Sequence, residues 1–194
     1  LYLEGTSIPL ANLVFSENTT GKGGDAPTAG DGGFGGGLYT DSSSIPTLTT
    51  STFVDNATGS GGAGTSAGAG GEGGGLYNAS STNLALVNSI FWGNTATGTV
   101  VNQQLAGVVS YTYCCVQDGM ATEHNTNKDP LLDTYWVPQS GSDCVDTGNS
   151  NALPADAADV DGDDDTSEEL PLDRAGQARI SGGDVDMGAL ELQQ

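Results

Sequence analysis

Residues 35–56 recur as residues 73–94, and that repetition leaves few folds open to the chain. Gly35-Gly36-Gly37-Leu38-Tyr39 returns as Gly73-Gly74-Gly75-Leu76-Tyr77, Leu48 as Leu86, and Phe53-Val54-Asp55-Asn56 as Phe91-Trp92-Gly93-Asn94, always 38 residues later. The same offset places Phe15-Ser16-Glu17-Asn18 before its successor, and Ile8-Pro9 echoes Ile45-Pro46, so a partial copy opens the chain. A fixed period of this length means one supersecondary unit stacked on copies of itself, because a single copy cannot bury its apolar face alone.

Within a copy the pattern favours strand. Thr-rich alternation over residues 47–52 and the Phe53-Val54 pair suit extended chain. Triple glycines, Asn56 and the Ser/Thr clusters are turn material. No long window carries apolar residues at helical spacing. Two or three short strands per copy describe one coil of a parallel β-helix, with coils about 4.8 Å apart. The alternative is an antiparallel sandwich with coincidental repetition. A stack of four to six coils predicts columns of equivalent residues. These are Phe15, Phe53 and Phe91 in the interior, Leu48 and Leu86 beside them, and a ladder of amides from Asn18, Asn56 and Asn94.

The Gly-Gly-apolar run followed by Phe-x-x-Asn resembles the repeat of polymorphic outer-membrane proteins and related right-handed β-helices of the pectate-lyase-like superfamily. Asp129-Pro130-Leu131, the segment 141–149, Asp159-Val160-Asp161-Gly162-Asp163 and the segment 183–191 resemble the choice-of-anchor Q region of bacterial surface proteins. The resemblances imply an all-β, right-handed parallel β-helix at a bacterial cell surface or outside the cell. They imply no agreed activity.

One continuous domain is expected. Residues 1–98 form repeat coils with Gly-rich insertions at 19–34 and 57–72, and residues 99–194 form irregular coils and an acidic capping region. The insertions leave and re-enter at equivalent places, so they are either mobile surface loops or loops packed on one another. Val101, Val108, Val109, Tyr111, Tyr113 and Val116 mark a further coil. Strands are also expected at 130–137, at Val145 and over 180–192. Leu1-Tyr2-Leu3 opens inside a repeat already under way, which predicts a neighbouring coil from upstream chain or from another subunit.

Four Lys and Arg stand against 25 Asp and Glu, a formal charge of −21. Nucleic acid and anionic membrane both need a basic footprint, so neither is an expected partner. No apolar run reaches membrane-spanning length, and no membrane insertion is expected. Asp159, Asp161, Asp163 and Asp165 alternate, with Asp156, Asp164, Glu168 and Glu169 nearby, which is how proteins wrap Ca²⁺ in oxygen. The EF-hand template fails, with Asp164 at the sixth position and Leu170 at the twelfth. A solvated acidic loop, or neutralisation by Arg174 and Arg179, is the competing reading.

Cys114 and Cys115 are adjacent, so in a strand only one can face the core. The family resemblance implies a Cys115–Cys144 disulfide with Cys114 free, against the alternative of three buried thiols. Sequons begin at Asn18, Asn56 and Asn78, but a buried ladder excludes glycosylation at its asparagines.

Catalysis is not expected. Lyases of the resembling fold use basic residues, which are few and scattered here. Hydrolases need carboxylates about 5 to 9.5 Å apart in a groove, and the repeat strands offer Thr, Ser and Asn. His124, the single histidine, lies in a polar loop. Two function classes follow: a structural or adhesive surface protein that assembles with itself or other surface proteins, and a carbohydrate-binding module. The second would use Tyr39, Tyr77 and Trp92 as glycan platforms along one flank.

Overall fold

The computed structural model describes residues 1–99 and 102–194, so Val101 of the expected fourth coil lies outside the described residues. The chain forms an all-β parallel β-helix of four coils. Each coil contributes one strand to each of three sheets. The first sheet holds β1 (Tyr2–Leu3), β4 (Leu38–Thr40), β7 (Leu76–Asn78) and β10 (Leu105–Gly107). The second holds β2 (Pro9–Leu10), β5 (Thr47–Thr49), β8 (Leu84–Val87) and β11 (Val109–Thr112). The third holds β3 (Val14–Ser16), β6 (Thr52–Val54), β9 (Ile90–Trp92) and β12 (Cys115–Val116). All strand pairs are parallel, which removes the sandwich alternative.

Strands stay short because the backbone turns three times per coil, at residues with positive φ. Asn12, Thr50, Asn88 and Tyr113 (φ 53°, 42°, 50° and 53°) turn the chain from the second sheet into the third. Glu17, Asp55 and Gly93 (φ 57°, 54° and 68°) turn it out of the third, and Gly35 and Gly73 precede the first. Left-handed backbone costs an ordinary residue roughly 1–2 kcal/mol, and stacking repeats the cost at each level, so the hydrogen bonds between coils must exceed it. Leu10 pairs with Leu48 and Leu48 with Leu86. The Ile8-Pro9 echo is one residue out of this register, and Pro9 sits beside Thr47 instead of Pro46. A one-residue slip would turn Leu10 out of the core.

Side chains alternate across each strand, and the inward set fills the coil. Leu38, Leu76 and Leu105 come from the first sheet, Leu10, Leu48 and Leu86 from the second, and Phe53, Phe91 and Val116 from the third. Phe53 stacks on Phe15 and Phe91 with ring centroids 4.5 and 4.6 Å away. Full burial of such a ring contributes roughly 1.5–3 kcal/mol.

The two Gly-rich insertions pack on one another. Gly23, Ala26, Ala29 and Gly32 donate their amides to Ser60, Ala63, Ser66 and Ala69, at 2.8 to 3.1 Å. Thr28 and Ser66 form a parallel bridge. Glycine is required at Gly32 and Gly71, where a Cβ would collide with the carbonyls of Gly59 and Gly33. The loops thus continue the ladder on backbone groups, helped by Asp25 and Asp31, whose Oδ1 atoms accept from the amides of Ala63 and Ala69 at 2.7 Å.

Beyond Val116 the described residues form no strand, contrary to the expectations at 130–137, Val145 and 180–192. They form isolated bridges and a 3-10 turn at Ser150–Ala152. At 130–137 the chain wraps round Asp133, whose Oδ1 accepts from the amides of Tyr135 and Val137 at 2.8 and 3.0 Å. Asp173 does the same with Ala175 and Gln177 at 2.8 and 2.9 Å. Val185, Met187, Ala189 and Leu190 are buried, yet they lie across the coils' outer corners instead of adding to a sheet. Gly188 donates to the carbonyl of Asn88 (2.8 Å), Ala189 to Thr52 Oγ1 (2.9 Å), and Asn12 Nδ2 to the carbonyl of Leu172 (2.7 Å). Thr126 closes the last coil by pairing with Cys115. From there the chain runs back along the stack as a lateral brace on three successive coils.

Candidate functional site

The acidic loop begins and ends on paired backbone. Ala155 bridges Glu169, Asp156 donates its amide to the carbonyl of Glu168 (2.8 Å), and Leu170 donates to that of Pro154 (2.9 Å). Leu153 and Leu170 are buried below this neck. Of the four alternating aspartates, Asp159, Asp161 and Asp163 bring carboxylate oxygens within 4.8 Å of one another. Asp165 is not among them. Its Oδ1 is taken by the amide and hydroxyl of Ser167 (2.9 and 2.6 Å), which hold its carboxyl below the ordinary range.

A second group meets within the same 4.8 Å, formed by Asp156, Asp161 and Glu168. Asp156 is 1 % exposed. Its Oδ2 accepts from the amide of Val160 (2.8 Å), while its Oδ1 and Glu168 Oε1 are buried with no hydrogen-bond partner. Burial raises the Glu168 carboxyl, and the charges of Asp163, Asp161, Asp165 and Asp156 raise it further. Both groups are all-oxygen, the donor set of a hard cation.

Arg179 does not neutralise this loop. It lies under the brace, where its Nη2 donates to Glu191 Oε2 and to the carbonyl of Asp186, each at 3.1 Å. Asp173 Oδ2 accepts from the amide of Glu191 (3.0 Å), and Asp186 Oδ2 from that of Leu192 (2.8 Å). Burial raises Glu191 to about 7, against the lowering effect of Asp186's amide and of Arg179. Sequence reasoning missed this cluster. The available signal was the parallel between Pro130-Leu131-Leu132-Asp133 and Pro171-Leu172-Asp173, two copies of one turn.

All three cysteines are buried free thiols in this structure, so the Cys115–Cys144 bridge is not formed. Cys114 points into the coil, where burial pushes its thiol up to about 12. Cys115 points outward and is covered by Cys144 and Met187 of the brace. The neighbouring Cys144 thiol, and burial next, raise Cys115 strongly. The two faces are thus distinct, and a second layer buries the outer one.

In the amide column, Asn18 donates to Asn56 Oδ1 and Asn56 to Asn94 Oδ1, both at 2.8 Å. Asn94 donates onward to Gln104 Oε1 (2.7 Å), a fourth rung that sequence reading did not find. Asn78 is buried, and its Nδ2 donates to the carbonyls of Val108 and Thr82 (2.7 and 3.0 Å).

Tyr39 and Tyr77 do not share a flank with Trp92. The tyrosines lie outside the first sheet, whereas Trp92 lies outside the third, against the Cys115 cluster. Tyr2, Tyr39 and Tyr77 stack on each other at 5.1 and 5.5 Å, so Tyr39 lies between two rings with neither face open to a sugar. His124 is exposed and its ring stacks on Tyr113. Among the described residues no helix is long and apolar enough to cross a membrane. Comparison with protein-family models, curated proteins and solved structures finds no match.

Proposed function

We propose that this chain is a structural or adhesive module of a bacterial surface or secreted protein, a right-handed β-helix of the pectate-lyase-like kind with a choice-of-anchor Q type C-terminal region. It joins head to tail with further copies of itself. The observation that carries this reading is the edge shared by β1, β2 and β3, which end all three sheets on the same side of the stack. There the aromatic column is less covered than it is inside the stack. Phe15 is half-buried where Phe53 and Phe91 are 0 % exposed, while Leu3 and Leu10 beside it stay buried, and on the outer face of the same edge Tyr2 is 60 % exposed. Open ladder groups above an apolar column favour the addition of another coil. A heterologous contact between unlike ends propagates as a fibre, because it does not close. The −21 charge opposes lateral clumping while leaving end-on contact available.

Sedimentation velocity and negative-stain electron microscopy over a range of concentrations test the reading. End-on oligomers or filaments are expected, and Val14→Pro at the open edge should shorten them while leaving the circular dichroism spectrum intact. A monodisperse monomer at every concentration would overturn the proposal.

A further inference from the structure

We propose that Asp156, Asp161 and Glu168 form the seat of one Ca²⁺ ion that clamps the neck of the acidic loop, a set that shares only Asp161 with the alternating aspartates on the loop's outer rim. Asp156 and Glu168 lie side by side across a short antiparallel pairing, with Ala155 bridging Glu169 and Asp156 bonded to the Glu168 carbonyl at 2.8 Å. Residues 157–167 leave and return through this pairing, so Asp161 folds back from the loop onto its own base. One oxygen of each side chain falls within 4.8 Å of the others.

Carboxylates gathered on a surface are common and often bind nothing. Here a second observation separates the seat from the rim. Asp156 is 1 % exposed, and its Oδ1 has no donor in reach. Glu168 Oε1 is likewise buried and without a partner. A buried carboxylate oxygen facing other carboxylates, with no N–H or O–H to satisfy it, lacks the compensation that burial of such a group requires. Of the two arginines that sequence reading offered, Arg179 is committed to Glu191, and the exposed Arg174 makes no ion pair with the loop among the described residues. A divalent cation supplies the missing partner for both orphan oxygens and offsets the repulsion within the set. Neither His nor Cys takes part, and flexible carboxylates with room for water suit Ca²⁺ better than the rigid octahedron of Mg²⁺. The rim aspartates differ, since Asp159, Asp161 and Asp163 accept from the loop's own amides of Asp164, Asp163 and Asp165.

Closing the neck holds a highly acidic loop compact against the brace. The module's C-terminal region then depends on Ca²⁺ at the concentrations found outside cells, with half-saturation on the order of 10⁻⁴–10⁻³ M.

The test uses the full chain, stripped with chelator and titrated with CaCl₂ alone. Thermal unfolding, and proteolysis within residues 157–167, are followed in wild type and in D156N, E168Q and D165N. Wild type and D165N should gain about 5 °C in Tm at saturating Ca²⁺ and lose cleavage in the loop. D156N and E168Q should bind at least about tenfold more weakly. In chelator, D156N should be no less stable than wild type, because it removes an unpaired buried charge, and this separates a ligand role from simple loss of fold. The proposal is overturned if Ca²⁺ leaves wild type unmoved, or if D156N and E168Q respond as fully as wild type. It is also overturned if Mg²⁺ or matched ionic strength reproduces the whole shift, since the −21 charge would then be screened at large.

Discussion

Arg179 and Glu191 face each other at 3.1 Å with side chains 1 % and 0 % exposed, an ion pair sealed between the brace and the stack. Arg179 also donates to the carbonyl of Asp186, and Glu191 Oε1 and Oε2 accept from the amides of Ser181 and Asp186. The pair therefore organises the backbone of the last segment as much as it balances charge. Removing one partner of such a pair leaves the other buried and uncompensated, at a cost of about 3–5 kcal/mol. Arg179→Met should destabilise by that amount at pH 8 and by less at pH 5, where Glu191 can take up a proton. Urea unfolding at the two pH values checks this, and an equal cost at both would contradict the assignment.

The pH dependence of the parent protein follows from the same groups. Burial raises the carboxyls of Glu191 and Asp186 above their ordinary values of 4.5 and 3.8. A raised carboxyl contributes stability that is fully present below its unfolded pKa and lost as pH rises through the folded one. Stability should therefore fall from pH 4.5 towards about 7 as Glu191 ionises. Asp41 and Asp146 act oppositely. Hydrogen bonds from Ser44 and Ser43 lower the first, and those from Gln194 and Gly183 the second, so their contribution is lost below about pH 3.8. Self-repulsion of the −21 charge adds to the decline at higher pH. The expected maximum lies near pH 4 to 5, and a Tm profile that climbs steadily to pH 7 would refute the sign.

The amide column predicts a position-dependent loss. Asn56 Oδ1 accepts from the amide and side chain of Asn18 (3.0 and 2.8 Å), while its Nδ2 donates to the carbonyl of Phe15 and to Asn94 (2.9 and 2.8 Å). Each buried group orphaned by Asn56→Ala costs about 1–3 kcal/mol. Asn18→Ala, at the open end, removes fewer bonds and should cost less than half as much. Chemical unfolding of both variants would show the ranking, and equal losses would argue that the column is not the stabilising element.

The cysteines differ in their readiness to react. Cys114 is sealed in the coil with its thiol held up to about 12, so alkylation at pH 8 should reach it only on unfolding. Cys115 donates to the carbonyl of Lys128 at 3.3 Å and packs against Cys144 of the brace. Mild oxidation of the folded protein should join Cys115 and Cys144 as a disulfide, read by peptide mapping without reduction. Recovery of Cys114 in the bridge would disprove the facing argument.

The sequence by itself determined the coil. A parallel ladder sets like beside like, so an offset of 38 residues carries Leu48 onto Leu86 and Phe53 onto Phe91 and makes the register visible as repetition. The alternation that turns Leu38 inward and Tyr39 outward is equally local, because a strand has a period of two. Even the adjacency of Cys114 and Cys115 foretold opposite faces. Only the tertiary structure decided residues 117–194. Their backbone groups bond to side chains and corners of distant coils, as the Ala189 amide does with Thr52 and the Leu172 carbonyl with Asn12, and such partners leave no periodic trace in the chain. For the same reason the alternating rim of Asp159, Asp161 and Asp163 was legible, whereas the burial that sets Asp156 and Glu168 apart was not. The spacing of the rim is written in the chain itself, but burial depends on what the rest of the molecule lays over it.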